Sequence, residues 1–130
     1  MSAPPLVRDG REPILRIAPG PRDINSNGHI FGGWVLAQMD IAGGIVAGRV
    51  CQGPCATVAI ESMAFIAPIL LQDLISVYAQ VERRGRTSVA IRIDVIASRN
   101  RGEAEVPVTS GLFTFVALDE HSRPRPLPPP

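Results

Sequence analysis

A carboxylate in the middle of a long apolar segment constrains this chain more than any other feature. From Phe31 to Val50 the residues are apolar nearly all round, with small Gly and Ala among them. The stretch is long enough for a helix, and a helix apolar on every side should be buried. Asp40 interrupts it. A buried carboxylate is costly unless it is hydrogen-bonded or neutralised. Leu36, Asp40, Gly43 and Ala47 follow helical spacing, so Asp40 shares a stripe with small residues. Such a stripe leaves room for a ligand or for a second helix. Two readings stand: a functional carboxylate in a cleft, or a structural one satisfied by backbone donors.

The residues just before the helix are turn formers, Pro19 to His29. Gly32 and Gly33 open the helix itself. A helix N-terminus exposes unpaired amide protons and the positive end of its dipole. Those amides could hold a developing oxyanion, or the two glycines could simply pack against a sheet. His29 could orient water or a substrate carbonyl, or only cap the helix. Asn27 is a further polar candidate there, although Asn25 and Asn27 also read as turn residues. Gly32 and Asp40 lie eight positions apart, about 12 Å along a helix axis. One site using both would draw them from two subunits.

Ile14 to Ile17 is a short strand candidate, and four more follow the helix. They are Ala56 to Phe65, Leu74 to Glu82, Ser88 to Ser98 and Val106 to Leu118. The third alternates most cleanly, with Val89, Ile91, Ile93, Val95 and Ala97 on one face. Short links between successive strands favour an antiparallel meander. The expected architecture is α+β, with a sheet wrapped around one long helix. Residues 13–122 form one domain, between an N-terminal tail of 1–12 and a Pro-rich C-terminal tail of 123–130, which should be extended.

Bulk properties narrow the function. A chain of 130 residues suits one domain. The net charge of +1 gives no electrostatic reason to expect nucleic acid or an anionic membrane as partner. No basic region followed by an apolar run opens the sequence, and Ile41 to Gly48 is too short to span a bilayer. A cytoplasmic protein is expected. Cys51 and Cys55 should then be reduced thiols. With His29 and His121 far apart, they make no zinc pattern, and no metal is expected.

Every basic residue is Arg, and there is no Lys. Arg83, Arg84 and Arg86 cluster at a turn with Thr87 and Ser88. They could clamp phosphate groups, or form a solvated turn. There is no GxxxxGK[ST] loop, no GxSxG motif and no Cys/His pair for covalent catalysis. A carboxylate mechanism remains.

One signature goes further. Asp23, Asn25, Asn27-Gly28-His29-Ile30-Phe31-Gly32-Gly33-Trp34, Gln38-Met39-Asp40 and Ala42-Gly43 resemble the helix motif of the hotdog acyl-CoA thioesterases, most nearly the bacterial YciA group. Thr57 to Met63 with Phe65 and Pro68, then Gly85 to Ser88, and Thr114 to Asp119 with the Pro-rich ending, support the match. The likeness spans about residues 14–127. It departs at His29, Ala67 and Gln72.

The resemblance implies a hotdog fold, a five-stranded antiparallel sheet wrapped around a long central helix. It implies homodimers, assembled further into a trimer of dimers. The activity implied is hydrolysis of acyl-CoA, with CoA part of the substrate and no separate cofactor. Asp40 takes the place of the catalytic carboxylate, as general base or nucleophile. The oxyanion amide falls near Gly33, with His29 and Asn27 as the polar groups beside it. Nucleotide contacts are expected at Arg84, Arg86, Thr87 and Ser88. Two other functions share this fold: an acyl-thioester dehydratase or hydratase, for which His29 is the candidate base, and a non-catalytic acyl-CoA sensor.

Overall fold

The computed structural model describes residues 12–130. Five strands and one long helix follow the apolar runs: β1 (Leu15–Ile17), α1 (Gly32–Cys51), β2 (Cys55–Phe65), β3 (Leu74–Arg84), β4 (Ser88–Arg99) and β5 (Ala104–Ala117). The alternation in β4 has the consequence expected of a pleated strand. Val89, Ile91, Ile93, Val95 and Ala97 are buried in one apolar core with Phe113, Phe115 and Ala117 of β5. Trp34, Val35, Met39, Ala42, Val46 and Ala47 of α1 join that core. Helix and sheet touch at Gly43. A Cβ there would lie 2.7 Å from Ile93 Cδ1 and 3.0 Å from the Phe115 ring, so only glycine permits this approach. By length and composition α1 would suffice to cross a membrane, a longer apolar element than Ile41 to Gly48, but here one face is committed to the sheet.

The sheet order is β1-β3-β4-β5-β2, with every pairing antiparallel. The expected meander of four successive strands is therefore corrected. Only β3, β4 and β5 form one; β2 crosses to the far edge and pairs with β5 (Cys55↔Ala117, Phe65↔Thr109). The link between β2 and β3, residues 66–73, is too long for a tight hairpin, whose loops run about 2–5 residues. It runs past the sheet end and is held there by polar contacts. Arg99 Nε donates to Asp73 Oδ1 at 2.9 Å, and Arg99 Nη2 to the Pro68 carbonyl at 2.6 Å. Asp73 Oδ2 also accepts the Leu70 amide at 2.8 Å.

The helix is not buried all round, and Asp40 is exposed. Both expectations are corrected, for one reason: a single sheet covers only one side of α1. Gly33, Ala37, Asp40, Ile41 and Ile45 form the uncovered stripe. Beside it runs β2, whose outer edge has no strand partner among the described residues. Val58 and Ile60 there are 58% and 46% exposed, and Ile41 on the helix 51%. An apolar edge strand next to an apolar helix stripe is a surface that a monomer does not normally leave open.

The N-terminal tail lies outside the described residues except for Glu12. The Pro-rich segment 123–130 contains no helix or strand, yet it is docked. The Arg125 amide donates to the Ala117 carbonyl at 2.9 Å. Its guanidinium donates to Leu118 O and, at the C-terminal end of α1, to Cys51 O, both at 2.8 Å. Leu127 packs on the core. A carbonyl at a helix end lacks an intrahelical partner, and Arg125 supplies one.

Candidate active site

The loop before α1 is built by two side chains. Asp23 Oδ2 accepts the Gly20 amide at 2.8 Å, while the Asp23 carbonyl takes the Phe31 amide at 2.9 Å. Asn25 Oδ1 accepts the amides of Asn27 and His29 at 2.9 and 3.1 Å. Gly28 takes the left-handed conformation this turn needs, with φ +80°. These bonds aim the chain into α1, whose N-terminal end has no side-chain cap. Gly32 and Gly33 are exposed there. The Phe65 ring stands over Gly32, its Cζ 3.4 Å from where a Cβ would be.

Beside this helix end lies an open groove of about 360 Å³, lined by His29, Asn25, Gly32, Val35, Phe65 and Pro68 among others. Two of the expected polar groups thus differ. His29 lines the groove. Asn27 is exposed, is absent from the groove lining, and uses its amide in the Asn25 turn.

Asp40 lies elsewhere. It is seven residues beyond Gly33, about 10 Å along the helix. Its Oδ1 accepts a hydrogen bond from Thr57 Oγ1 at 2.5 Å. Thr57 sits on β2 opposite Phe115, so the pleat turns its side chain to the helix side of the sheet. Sequence reading placed Thr57 in a supporting motif and gave it no role. A residue 17 positions away on another element carries no periodic signal that would pair it with Asp40. One chain therefore presents two separate clusters: helix amides with His29 and the groove, and Asp40 with Thr57 on the uncovered stripe.

The third expected group is the Arg turn. The Gly85 amide donates to the Ser88 carbonyl at 2.8 Å and closes the turn between β3 and β4. Arg83, Arg84 and Arg86 are exposed, and Thr87 and Ser88 are half-buried. The Pro-rich segment reaches this turn. Arg84 Nη2 donates to the Pro128 carbonyl, and the Leu127 amide to the Arg86 carbonyl at 2.8 Å. Arg84 thus stands partly engaged with the chain itself.

Cys51 and Cys55 are free thiols. Burial pushes both thiols above their ordinary pKa, against a smaller opposite pull from the Arg125 guanidinium. Among the described residues no group of three or more His, Cys, Asp or Glu is placed to hold a metal ion.

One long helix packed on a five-stranded antiparallel sheet of this order is the hotdog fold of the thioesterases. The Thioesterase superfamily matches residues 27–104, and the chain belongs to it. Within that superfamily the chain is similar to the YciA-type enzymes. It is 42% identical over 121 residues to the acyl-CoA thioester hydrolase YciA of Salmonella typhimurium, covering 90% of each chain. Among solved structures it is similar to a hexameric thioesterase from Yersinia pestis, with TM-score 0.87, 38% identity, and 93% and 98% of the two chains covered. A hexameric hotdog fold thioesterase of Campylobacter jejuni superposes with TM-score 0.86 at 35% identity, covering 93% of each chain. The chain is an enzyme of this group, a thioester hydrolase.

Proposed function

We propose that this chain hydrolyses short- to medium-chain acyl-CoA to a carboxylic acid and free CoA, in sites assembled between two subunits. The observation that carries the reading is the Asp40–Thr57 pair. It lies on the uncovered stripe, about two helical turns from the amides it must work with. One subunit supplies Gly33, with His29 and Asn27 nearby; the other supplies Asp40.

The chemistry follows from these groups. The Gly33 amide donates to the thioester carbonyl and stabilises the oxyanion that forms. Thr57 fixes the Asp40 carboxylate. Asp40 takes a proton from water, and the hydroxyl oxygen attacks the carbonyl carbon. The tetrahedral intermediate collapses, the C–S bond breaks, and the thiolate leaves with the bonding pair. A thiol has a pKa of about 8.5, so its thiolate leaves without a strong acid. The alternative is direct attack by Asp40 to give a mixed anhydride, which water then hydrolyses. Arg84, Arg86, Thr87 and Ser88 hold the nucleotide phosphates.

The uncovered stripe of α1 and the free edge of β2 supply the dimer contact, and a trimer of dimers follows the hexameric relatives. The test is release of free thiol from acyl-CoAs of increasing chain length by wild type and Asp40→Asn. The variant should keep its native mass and lose most turnover. Near-normal turnover would remove Asp40 from the mechanism.

A further inference from the structure

We infer that Cys51 and Cys55 form a dithiol site that a small oxidant closes into a disulfide, and that this bond lowers turnover by drawing on the strand that positions Asp40. The dithiol stands apart from the hydrolase reading. Its effect on turnover rests on that reading, through the Asp40–Thr57 pair.

The fold builds the site. Cys51 is the last residue of α1 and Cys55 the first of β2. Gln52, Gly53 and Pro54 turn the chain between them, with Gln52 in the left-handed conformation at φ 54°. Cys55 pairs with Ala117 and Thr57 with Phe115. Ala117 and Phe115 both belong to the core, so the pleat turns Cys55 and Thr57 to the helix side. There the Cys55 thiol donates a hydrogen bond to the Cys51 sulfur. The chain holds two cysteines, and the fold brings them into contact.

Access and charge suit the pair to oxidation. Cys51 is buried and Cys55 half-buried, so a small solute meets Cys55 first and Cys51 stands behind it. The Arg125 guanidinium, held on the Cys51 carbonyl, favours the thiolate of both, and Arg84 adds to this at Cys51. Asp40 opposes it at Cys55, and burial outweighs the cations at both sulfurs. The resting pair is therefore protonated and reduced, and it closes slowly.

Hydrogen peroxide is the oxidant considered. The Cys55 thiolate attacks one peroxide oxygen, the O–O bond breaks, and hydroxide leaves with the bonding pair. The Cys51 thiolate attacks the sulfenic sulfur, the S–S bond forms, and a second hydroxide leaves. The two thiol protons turn both hydroxides into water. The sulfurs lose two electrons and peroxide gains them. Closing the bond brings the sulfurs to about 2.05 Å and draws the start of β2 toward α1. Thr57 lies two residues on, on the same face, with its hydroxyl on Asp40. A misplacement of about 1 Å costs up to about 100-fold in rate, and one relayed along the strand should cost at least about threefold.

The experiment treats wild type, Cys51→Ala and Cys55→Ala with hydrogen peroxide, quenched by catalase. Free thiols, intact mass and native mass are read. Turnover of butyryl-CoA is followed by loss of thioester absorbance before oxidation, after it, and after dithiothreitol and desalting. Wild type should lose both thiols and the mass of two hydrogens at unchanged native mass. Its kcat should fall at least about threefold, and dithiothreitol should restore thiols and kcat together. Neither variant should show a loss that dithiothreitol reverses in this way. Surviving thiols, added oxygen on Cys55 with Cys51 still free, or a disulfide between subunits would overturn the site. A reversible internal disulfide with unchanged kcat would overturn the effect on turnover. A wild type that closes the disulfide but hydrolyses nothing would keep the dithiol and sink the hydrolase reading, and the claimed effect with it.

Discussion

Removing the hydroxyl of Thr57 while keeping its shape is the sharpest probe of the Asp40 cluster. Thr57→Val retains the β-branched strand residue and deletes one donor. The 2.5 Å bond from Thr57 Oγ1 to Asp40 Oδ1 holds that carboxylate against β2. A hydrogen bond to a charged group contributes about 1.5–3 kcal/mol. Both residues are exposed in the single chain, which places this bond at the low end of that range. At about 1.4 kcal/mol per factor of ten, kcat/KM should fall about tenfold. The loss should lie in kcat, because the bond orients the carboxylate rather than the substrate. Thr57→Ser, which restores the donor, should recover most of it. The assay is thiol release under saturating and limiting butyryl-CoA, with native mass as a control for assembly. Thr57→Val activity within twofold of wild type, or a loss that Thr57→Ser fails to restore, would refute the positioning role.

Three further outcomes are expected. Arg99→Ala takes the guanidinium from Asp73, which is 2% exposed, and leaves the Leu70 amide on its carboxylate; breaking a buried pair from one side costs about 3–5 kcal/mol, read as a shift in denaturant midpoint, and a change below about 1 kcal/mol would contradict the buried-pair account. Gly43→Val drives a branched side chain into Ile93 and Phe115 and should destabilise by about 1–3 kcal/mol, measured by thermal unfolding. Because burial raises the thiol pKa of Cys51 and Cys55, both stay protonated at neutral pH. Alkylation of the native protein should therefore be slower than that of free cysteine at pH 7.5 and should accelerate only above the ordinary thiol range; equal rates at pH 7.5 would contradict the direction of the shift.

Elements were legible in the sequence because each reflects a local pattern. Alternation in residues 88–98 and the apolar run from Phe31 to Val50 mark β4 and α1 to within a residue or two. Arrangement was less legible. The crossing of β2 to the far edge depends on β5 offering a free side, which no local pattern encodes; the eight-residue link 66–73 was the available hint. The exposure of Asp40 is not legible in the sequence, because an apolar helix face implies burial without saying against what, and Ile41, Ile45, Val58 and Ile60 remain uncovered by this chain's own sheet. Gly33, His29 and Asp40 could be singled out as unusual residue types at unusual places. Thr57, an ordinary strand threonine, could not, because its significance arises only where β2 packs beside the helix and brings its hydroxyl to Asp40.

The bond from Arg125 to the Cys51 carbonyl joins residues 74 positions apart. A growing chain emerges N-terminus first, at about 5–20 residues per second. The central helix is thus among the first elements to leave the ribosome and among the last to be finished. Until residue 125 follows, the Cys51 carbonyl at the end of α1 has no guanidinium to meet it. Premature arrest of synthesis between the end of β5 and Arg125 would release a chain with its core strands present and its helix end without that guanidinium, a species that proteases and chaperones can tell apart from the fold in which Arg125 is docked.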